Sequence, residues 1–198
     1  MKRIAIAGGI GAGKTSATSR LRELGFDVVD ADVVAHVVTA QGTPAWQALR
    51  DAFGDAILGA DGSLDRQFVA DLVFHDPSAL RRLNAITHGP IGGEILQQLD
   101  HATGEIVFLA IPLFRSEHRV VFSLDEAWAI LVKPETALQR LVESRGFDEA
   151  NARARLANQM SNEERASIVD RVIWNEGTPV DLFHQIDDVL RESRLVRG

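Results

Sequence analysis

A glycine-rich segment near the start of the sequence holds the residues best suited to chemistry. It matches the spacing G-x-x-x-x-G-K-[ST] and ends in a lysine and a hydroxyl residue, Lys14 and Thr15. Glycines allow backbone conformations in which successive N–H groups converge on phosphate oxygens. We therefore expect Lys14 to bridge the terminal phosphates of a nucleotide and the Thr15 hydroxyl to bind Mg²⁺. The segment predicted to bind the nucleotide comprises Gly8, Gly9, Ile10, Gly11, Ala12, Gly13, Lys14 and Thr15.

Two aspartates, Asp30 and Asp32, form the second candidate group. They are two residues apart in a predicted extended segment, so both side chains point to one side, toward the phosphate loop. A carboxylate beside the terminal phosphate can accept a proton from an attacking hydroxyl, the role expected for Asp32. It can also orient the waters of a metal ion, the role expected for Asp30. Capping of the following helix is the alternative for both residues.

The elements around these residues form a βαβ unit. Apolar runs predict strands over 3–7 and 27–30, and helical spacing predicts a helix over 16–24 between them. Such a unit lies in a parallel sheet in nearly all cases. From residue 31 to 98 the pattern is almost entirely helical, which predicts an inserted helical lobe at about 33–100. Breaks are expected at Gly42-Thr43-Pro44, at Gly59 to Gly62, at Asp76-Pro77 and at Gly89-Pro90.

The sheet resumes after the helical insertion. Continuous apolar runs predict buried strands over 105–111 and 126–132, and a short strand over 170–174. Helices are predicted over 135–144, 148–158 and 162–168 and from 180 onward. The fold class is therefore α/β, a single domain over 1–198 with a five-stranded parallel sheet.

Composition excludes several classes of function. The 21 basic and 28 acidic residues give a formal charge of −7, which disfavours sequence-independent nucleic-acid binding. The sequence has no cysteine, which excludes disulfides, thiol nucleophiles and Cys-ligated zinc. Its longest apolar stretch, Ile106–Phe114, is far shorter than the roughly 20 residues that cross a bilayer. We expect a soluble, cytoplasmic protein without nucleic-acid or membrane partners.

Two further absences narrow the class of phosphate-loop protein. No Asn-Lys-x-Asp stretch, typical of guanine-specific enzymes, occurs in the sequence. The predicted third strand runs into Pro112 with no aspartate at its end, whereas a mechanical ATPase needs a Mg²⁺-directing carboxylate there. Both observations argue against GTPases and motor ATPases.

Several motifs together resemble one family. The glycine-rich opening is followed after a helix by Asp30-Ala31-Asp32, then by a segment ending in His88 and by Ile111-Pro112-Leu113. Later matches are Gln139-Arg140-Leu141, a segment with Arg155 and Gln159 four residues apart on one predicted helix face, and Asp170 to Asn175. In these motifs the chain resembles the dephospho-coenzyme A kinase family along essentially its whole length.

The resemblance implies a P-loop kinase fold with a helical acceptor-binding lobe and a helical lid at about 145–168. It implies transfer of the γ-phosphoryl of ATP, with Mg²⁺, to the ribose 3'-hydroxyl of dephospho-coenzyme A, the last step of coenzyme A biosynthesis. Asp32 would act on that hydroxyl, His88 would lie at the acceptor site, and Arg140 and Arg155 would contact phosphates. A monomer or weak homo-oligomer is expected. The alternatives are a kinase for another small hydroxyl or nucleoside monophosphate, and a nucleotide-binding regulatory protein without catalysis.

The basic residues of the predicted lid could lie on a solvated helix face instead of binding phosphates. Arg145, Arg153, Arg155 and Arg165 alternate with glutamates, as on many solvated helix faces. Closing a lid over phosphates nevertheless needs cations, and arginine offers bidentate geometry. We expect Arg140 and Arg155 to supply this contact. For His88 the alternative is an ordinary packed or capping histidine.

Overall fold

The computed structural model describes residues 1–193, with all their side chains except that of Arg145. The chain divides into two compact units. One consists of Met1–Val29 and the chain from Ala102 onward, and contains most of the sheet. The other is Asp30–His101 and is helical, and the insertion predicted at about 33–100 lies within it.

The sheet has five strands in the order β2-β3-β1-β4-β5. The pairs of β1 with β3, β1 with β4, and β4 with β5 are parallel, which confirms the predicted fold class. Every residue of β3 is buried, as expected for a strand covered on both faces. The bounds are Lys2–Gly8 for β1, Asp27–Asp30 for β2, Ile106–Ile111 for β3, Glu126–Leu131 for β4 and Arg171–Trp174 for β5. All five predicted strands are present, within two residues at each end.

Helices follow the strands and fill the insertion. They are α1 Lys14–Glu23, α2 Ala31–Val38, α3 Pro44–Phe53, α4 Arg66–His75, α5 Pro77–His101, α6 Glu117–Val121, α7 Pro134–Arg145, α8 Glu149–Ala157, α9 Asn162–Ser167 and α10 Pro179–Glu192. The five-residue helix α6 and a 3-10 turn at Asp55–Ile57 were not predicted, because neither is long enough to show a helical period. No helix within residues 1–193 is long and apolar enough to cross a membrane.

The core of the sheet unit is aromatic at its centre. Phe108 of β3 and Trp128 of β4 are fully buried, with ring centroids 5.5 Å apart in an edge contact. Helix α10 packs an apolar stripe on this core, with Leu182, Ile186 and Leu190 at four-residue spacing. The core therefore fixes β1 and β4, the strands that lead into the loops of the site.

The helical unit corrects one prediction. Helix α5 runs through Gly89-Pro90 without the expected break. Proline removes one helical hydrogen bond and usually ends or kinks a helix. Here α5 has buried residues both before and after Pro90 in the sequence. They are Thr87 before it, and Ile95 and Leu99 after it. Tertiary packing thus overrides the local signal, while the other three predicted breaks are present.

Candidate active site

The phosphate loop lies between β1 and α1. Gly11 and Gly13 have φ angles of 76° and 94°, in the left-handed region that favours glycine. Helix α1 begins at Lys14 rather than at Ser16, so Lys14 and Thr15 belong to its first turn. Among the described residues no side chain caps this helix, and its first turn has no acidic residue. Its N–H groups and dipole are therefore available to an anion.

Asn175 supports the loop from the end of β5. Its side chain is buried, with 5% exposed, and Nδ2 donates to the carbonyl of Ala12 at 2.9 Å. Its backbone N–H donates to Leu131 at 2.8 Å, which ties it to the end of β4. A Cβ atom at Gly13 would overlap the Asn175 amide. The loop is thus held in shape by a residue 163 positions away in the sequence.

This packing makes Gly13 sensitive to any side chain. We expect Gly13→Ala to lower the free energy of unfolding by about 2 kcal/mol, because alanine is strained at this φ angle and meets Asn175. Gly93→Ala in α5 is the matched control, since nothing lies within 4 Å of its added methyl group. It should raise stability by about 0.5 to 1 kcal/mol. Urea denaturation measures both, and a Gly13→Ala protein as stable as the wild type would contradict the assigned loop packing.

Gln159 contacts the loop directly. Its Oε1 accepts a hydrogen bond from the backbone N–H of Ile10 at 3.0 Å. The expectation that it shares a helix face with Arg155 is wrong, because α8 ends at Ala157 and Gln159 lies beyond it. Arg155 instead stacks on Phe147, with its guanidinium carbon 5.0 Å from the ring centroid. In the described part of the chain no hydrogen bond or ion pair joins Arg155 to the loop.

Arg165 is the buried cation of the site. Only 5% of it is exposed, and its Nη1 donates to the carbonyl of Met160 at 3.3 Å. A Cβ atom built on Gly9 would lie 3.4 Å from this Nη1, so the guanidinium stands against the loop. Burial lowers the pKa of Arg165 from its ordinary value, yet an arginine side chain keeps its proton. Within residues 1–193 no carboxylate lies within ion-pair distance of it.

Hydrogen bonds at the N-terminus of helix α9 hold this helix in position, and Arg165 lies on it. Ser161 and Glu164 form a capping box, in which the Ser161 side chain accepts from the Glu164 N–H and the Glu164 side chain from the Ser161 N–H. Asn162 Nδ2 donates to the carbonyl of Val132 at 2.8 Å, just past β4. The sequence signals this arrangement only through the capping pattern, and the burial of Arg165 has no local signal.

Arg140 of α7 contacts the loop at Gly11. Its Nη1 donates to Gly11 at 3.3 Å and its Nη2 to Gly177 at 3.1 Å, both backbone carbonyls. No carboxylate of the described chain forms an ion pair with it. Its guanidinium charge is thus placed beside the loop and balanced by no acid.

Cavities adjoin the loop near Gly9 and near Gly13. The first, of about 280 Å³, is lined by residues that include Gly9, Ile10, Gln159 and Arg165. The second, of about 300 Å³, is lined by Gly11, Gly13, Ser16, Arg140, Ser144, Asn175, Gly177, Pro179 and Leu182. Each cavity therefore combines loop backbone with one arginine that has no acidic partner within residues 1–193, a setting suited to a phosphorylated ligand.

The remaining predicted residues lie in the helical unit. Asp30 caps α2, since its Oδ1 accepts from the Asp32 N–H at 3.0 Å. Asp32 is exposed in the first turn of the same helix. His88 is exposed on α5. The helix-capping contact expected as the alternative role is thus present for Asp30. This contact uses one lone pair of the carboxylate, so its other lone pairs can still accept hydrogen bonds or bind a metal ion.

The loop after β1, the parallel sheet and the arginines supplied from helices beyond β4 define a phosphotransferase of the phosphate-loop kinase class. The family model for dephospho-CoA kinase matches residues 2–181, and the chain belongs to this family.

Relatives and solved structures agree with this assignment. The chain is 38% identical to a dephospho-CoA kinase from Aromatoleum aromaticum, over 93% of this chain and 90% of that protein. It is 40% identical to one from Leifsonia xyli subsp. xyli, over 94% and 96%. The structure of TT1252 from Thermus thermophilus superposes with a TM-score of 0.82 at 29% identity, covering 100% and 98% of the two chains. Dephospho-CoA kinase from Campylobacter jejuni gives 0.62 at 24% identity, covering 96% of each, which shows the shared fold.

Proposed function

We propose that this chain transfers the γ-phosphoryl group of ATP to the ribose 3'-hydroxyl of dephospho-CoA, giving coenzyme A and ADP. The family match over residues 2–181 carries the choice of substrate. The chemistry is supported by a phosphate loop with two arginines beside it, neither paired with an acid in the described chain. Dephospho-CoA is the acceptor partner, and we expect the enzyme to be cytoplasmic and monomeric or weakly homo-oligomeric.

Catalysis in this arrangement rests on position and charge. The backbone N–H groups at the start of α1 would bind the phosphates, and the Lys14 ammonium would bridge the terminal phosphates. Phosphoryl transfer spreads negative charge over the equatorial oxygens, and fixed cations stabilise that charge most in a site that excludes water. Arg165 and Arg140 are fixed in advance by their own hydrogen bonds, so they need little reorganisation.

Mg²⁺ fits the residues at the loop. Residues 1–193 contain no group of three or more His, Asp or Glu side chains that could hold a metal alone. None is needed, because Mg²⁺ keeps several waters and binds through substrate phosphates and one or two protein oxygens. The Thr15 hydroxyl in the first turn of α1 and the carboxylate of Asp30 are the oxygens we propose. When bound, the ion would neutralise charge on the β- and γ-phosphates.

The helical unit would bind and activate the acceptor, dephospho-CoA. We propose that the Asp32 carboxylate accepts the proton of the 3'-hydroxyl as it attacks, and that His88 contributes to binding dephospho-CoA. Asp32 is fixed in its position because α2 begins with a capped turn. The predicted lid, at about 145–168, contains α8 and α9 and would exclude water from the reacting groups.

Among the lid arginines we propose Arg165, rather than Arg155, as the cation for the transferred group. We expect Arg165→Ala to lower kcat by about 10²-fold, because it removes a prepositioned cation. Its melting temperature should change by only a few degrees, because the loss of the Met160 hydrogen bond and of buried packing is offset by the removal of a buried charge that no carboxylate of residues 1–193 neutralises. Arg155→Ala is the matched control and should keep kcat within about threefold, because its guanidinium stacks on Phe147. Equal losses in the two variants would contradict this choice.

An ADP-release assay with a panel of acceptors tests the proposed function. The wild-type enzyme, ATP and Mg²⁺ are incubated with dephospho-CoA, with nucleoside monophosphates, with other small hydroxyl compounds, and with no acceptor. We expect fast ADP release with dephospho-CoA only. A faster rate with another acceptor would favour a kinase of different specificity, and no release with any acceptor would favour a nucleotide-binding protein without catalysis.

A further inference from the structure

The side-chain amide of Gln159 has two ends, and the protein uses only one of them. The carbonyl end accepts the N–H of Ile10, in the middle of the phosphate loop. The orientation of the amide is fixed by this contact, because a backbone N–H can only donate and therefore faces the oxygen. Nothing in residues 1–193 accepts a hydrogen bond from the Nε2 end.

Gln159 lies beside groups that can bind an anion, and one acidic residue, Glu163, also lines the same cavity. Its side chain lines the cavity of about 280 Å³ together with Gly9, Ile10 and Arg165. An ideal Cβ on Gly9 lies 2.7 Å from Gln159 Oε1 and 3.4 Å from Arg165 Nη1, so both side chains stand against the same glycine. The loop, a guanidinium and an amide donor thus share one small space, and within the described chain that guanidinium has no carboxylate partner.

The chain segment that holds Gln159 is itself held in place. Its backbone N–H donates to Leu156 at 3.2 Å, and Leu156 packs against the core of the sheet unit. The turn after α8 therefore presents the side chain from a fixed position. A positioned amide of this kind can add a hydrogen bond at little cost in conformational entropy.

We propose that Gln159 binds the γ-phosphoryl group of ATP through Nε2 while its Oε1 holds the Ile10 N–H. This inference rests on the proposed function, since it places ATP in the loop. The amide would distinguish ATP from ADP, because only ATP has the group that meets Nε2. It would also add, while the transferable phosphoryl group is present, a second link between the α8–α9 segment and the loop beside the existing contact with the Ile10 N–H.

The variants Gln159→Ala and Gln159→Glu separate this role from a structural one. Alanine removes both hydrogen bonds, whereas glutamate can still accept the Ile10 N–H but has no donor and adds negative charge. Gln97→Glu in α5 is the matched control, because it makes the same amide-to-carboxylate change at an exposed residue whose side chain forms no hydrogen bond within residues 1–193. The dissociation constants of ADP and of a nonhydrolysable ATP analogue are measured by calorimetry, together with kcat and the melting temperature.

We expect Gln159→Ala to weaken binding of the ATP analogue by about tenfold, the effect of one hydrogen bond to a charged group, and to leave ADP binding within about twofold. Gln159→Glu should weaken the analogue at least as much, lower kcat by about 10²-fold and keep the wild-type melting temperature. Gln97→Glu should match the wild type in kcat and in both dissociation constants.

Three results would overturn the inference. They are a Gln159→Glu enzyme with wild-type kcat, equal loss of ADP and ATP-analogue affinity, and tighter analogue binding in Gln159→Ala, which would mean that nucleotide displaces the amide. Failure of the proposed function is distinguishable from these, because the wild-type protein itself would then bind neither nucleotide or release no ADP with dephospho-CoA.

Discussion

Replacing Lys14 by alanine is expected to lower kcat by about 10³-fold, the order of effect for a principal phosphate cation. Lys14 is in the first turn of α1, and this turn contains no acidic residue. Its ammonium would therefore act on the terminal phosphates together with the loop N–H groups. The side chain is not part of the apolar core, so the melting temperature should change by only a few degrees.

Lys133→Ala is the matched control for this prediction. The sequence contains three lysines, and Lys133 is an exposed residue before α7 that lines neither loop cavity. Its loss removes the same charge from the same unit and should leave kcat within about twofold. A Lys14→Ala enzyme within a few-fold of wild type at saturating ATP and Mg²⁺ would refute the assignment of the phosphate loop.

The Asp32→Asn variant is expected to lose about 10² to 10⁴-fold in kcat with its ATP affinity nearly intact. Asparagine keeps the shape of the side chain and the start of α2, but it cannot accept the proton of the attacking hydroxyl. The cap of α2 is Asp30, which the substitution leaves in place. Stability should therefore fall by no more than about 1 kcal/mol, the effect of losing one acid from the first turn of α2, and the main loss should appear in the chemical step.

Asp71→Asn provides the comparison for Asp32. Asp71 is an exposed carboxylate on α4 in the same helical unit, where it accepts hydrogen bonds from Gln67. The same change of charge there should leave kcat unaltered. If Asp32→Asn keeps a near-normal kcat, the base must be sought elsewhere, and Asp30 is the next candidate to substitute.

The sheet and the loop could be predicted because their signals are local. The strand over 106–111 is a continuous apolar run, and the structure buries every residue of it. The loop motif requires glycine at position 13, and Gly13 does adopt a positive φ angle, as does the additional Gly11. Burial selects apolar residues, and a positive φ angle selects glycine. A short segment of sequence is therefore enough to predict the strand and the loop.

The contacts around the loop could not be predicted in this way. Gln159 and Ile10 are 149 residues apart, and the position of Gln159 depends on where α8 ends. The family resemblance and the charge of the lid favoured Arg155 as a lid cation, whereas the structure buries Arg165 against Gly9. The break expected at Gly89-Pro90 failed for the same reason, since packing along α5 outweighed a local signal. The positions of these side chains depend on tertiary contacts, and the periodicity of the sequence carries no information about such contacts.

Direct observation of the product tests the central claim most directly. The wild-type protein is incubated with ATP, Mg²⁺ and dephospho-CoA, and the products are identified by mass spectrometry and ³¹P NMR. We predict one new phosphomonoester on the ribose 3'-oxygen, formed in a one-to-one ratio with ADP and lost in Lys14→Ala. Phosphate released to water without coenzyme A, or a phosphoryl group on a different oxygen, would contradict the proposed function.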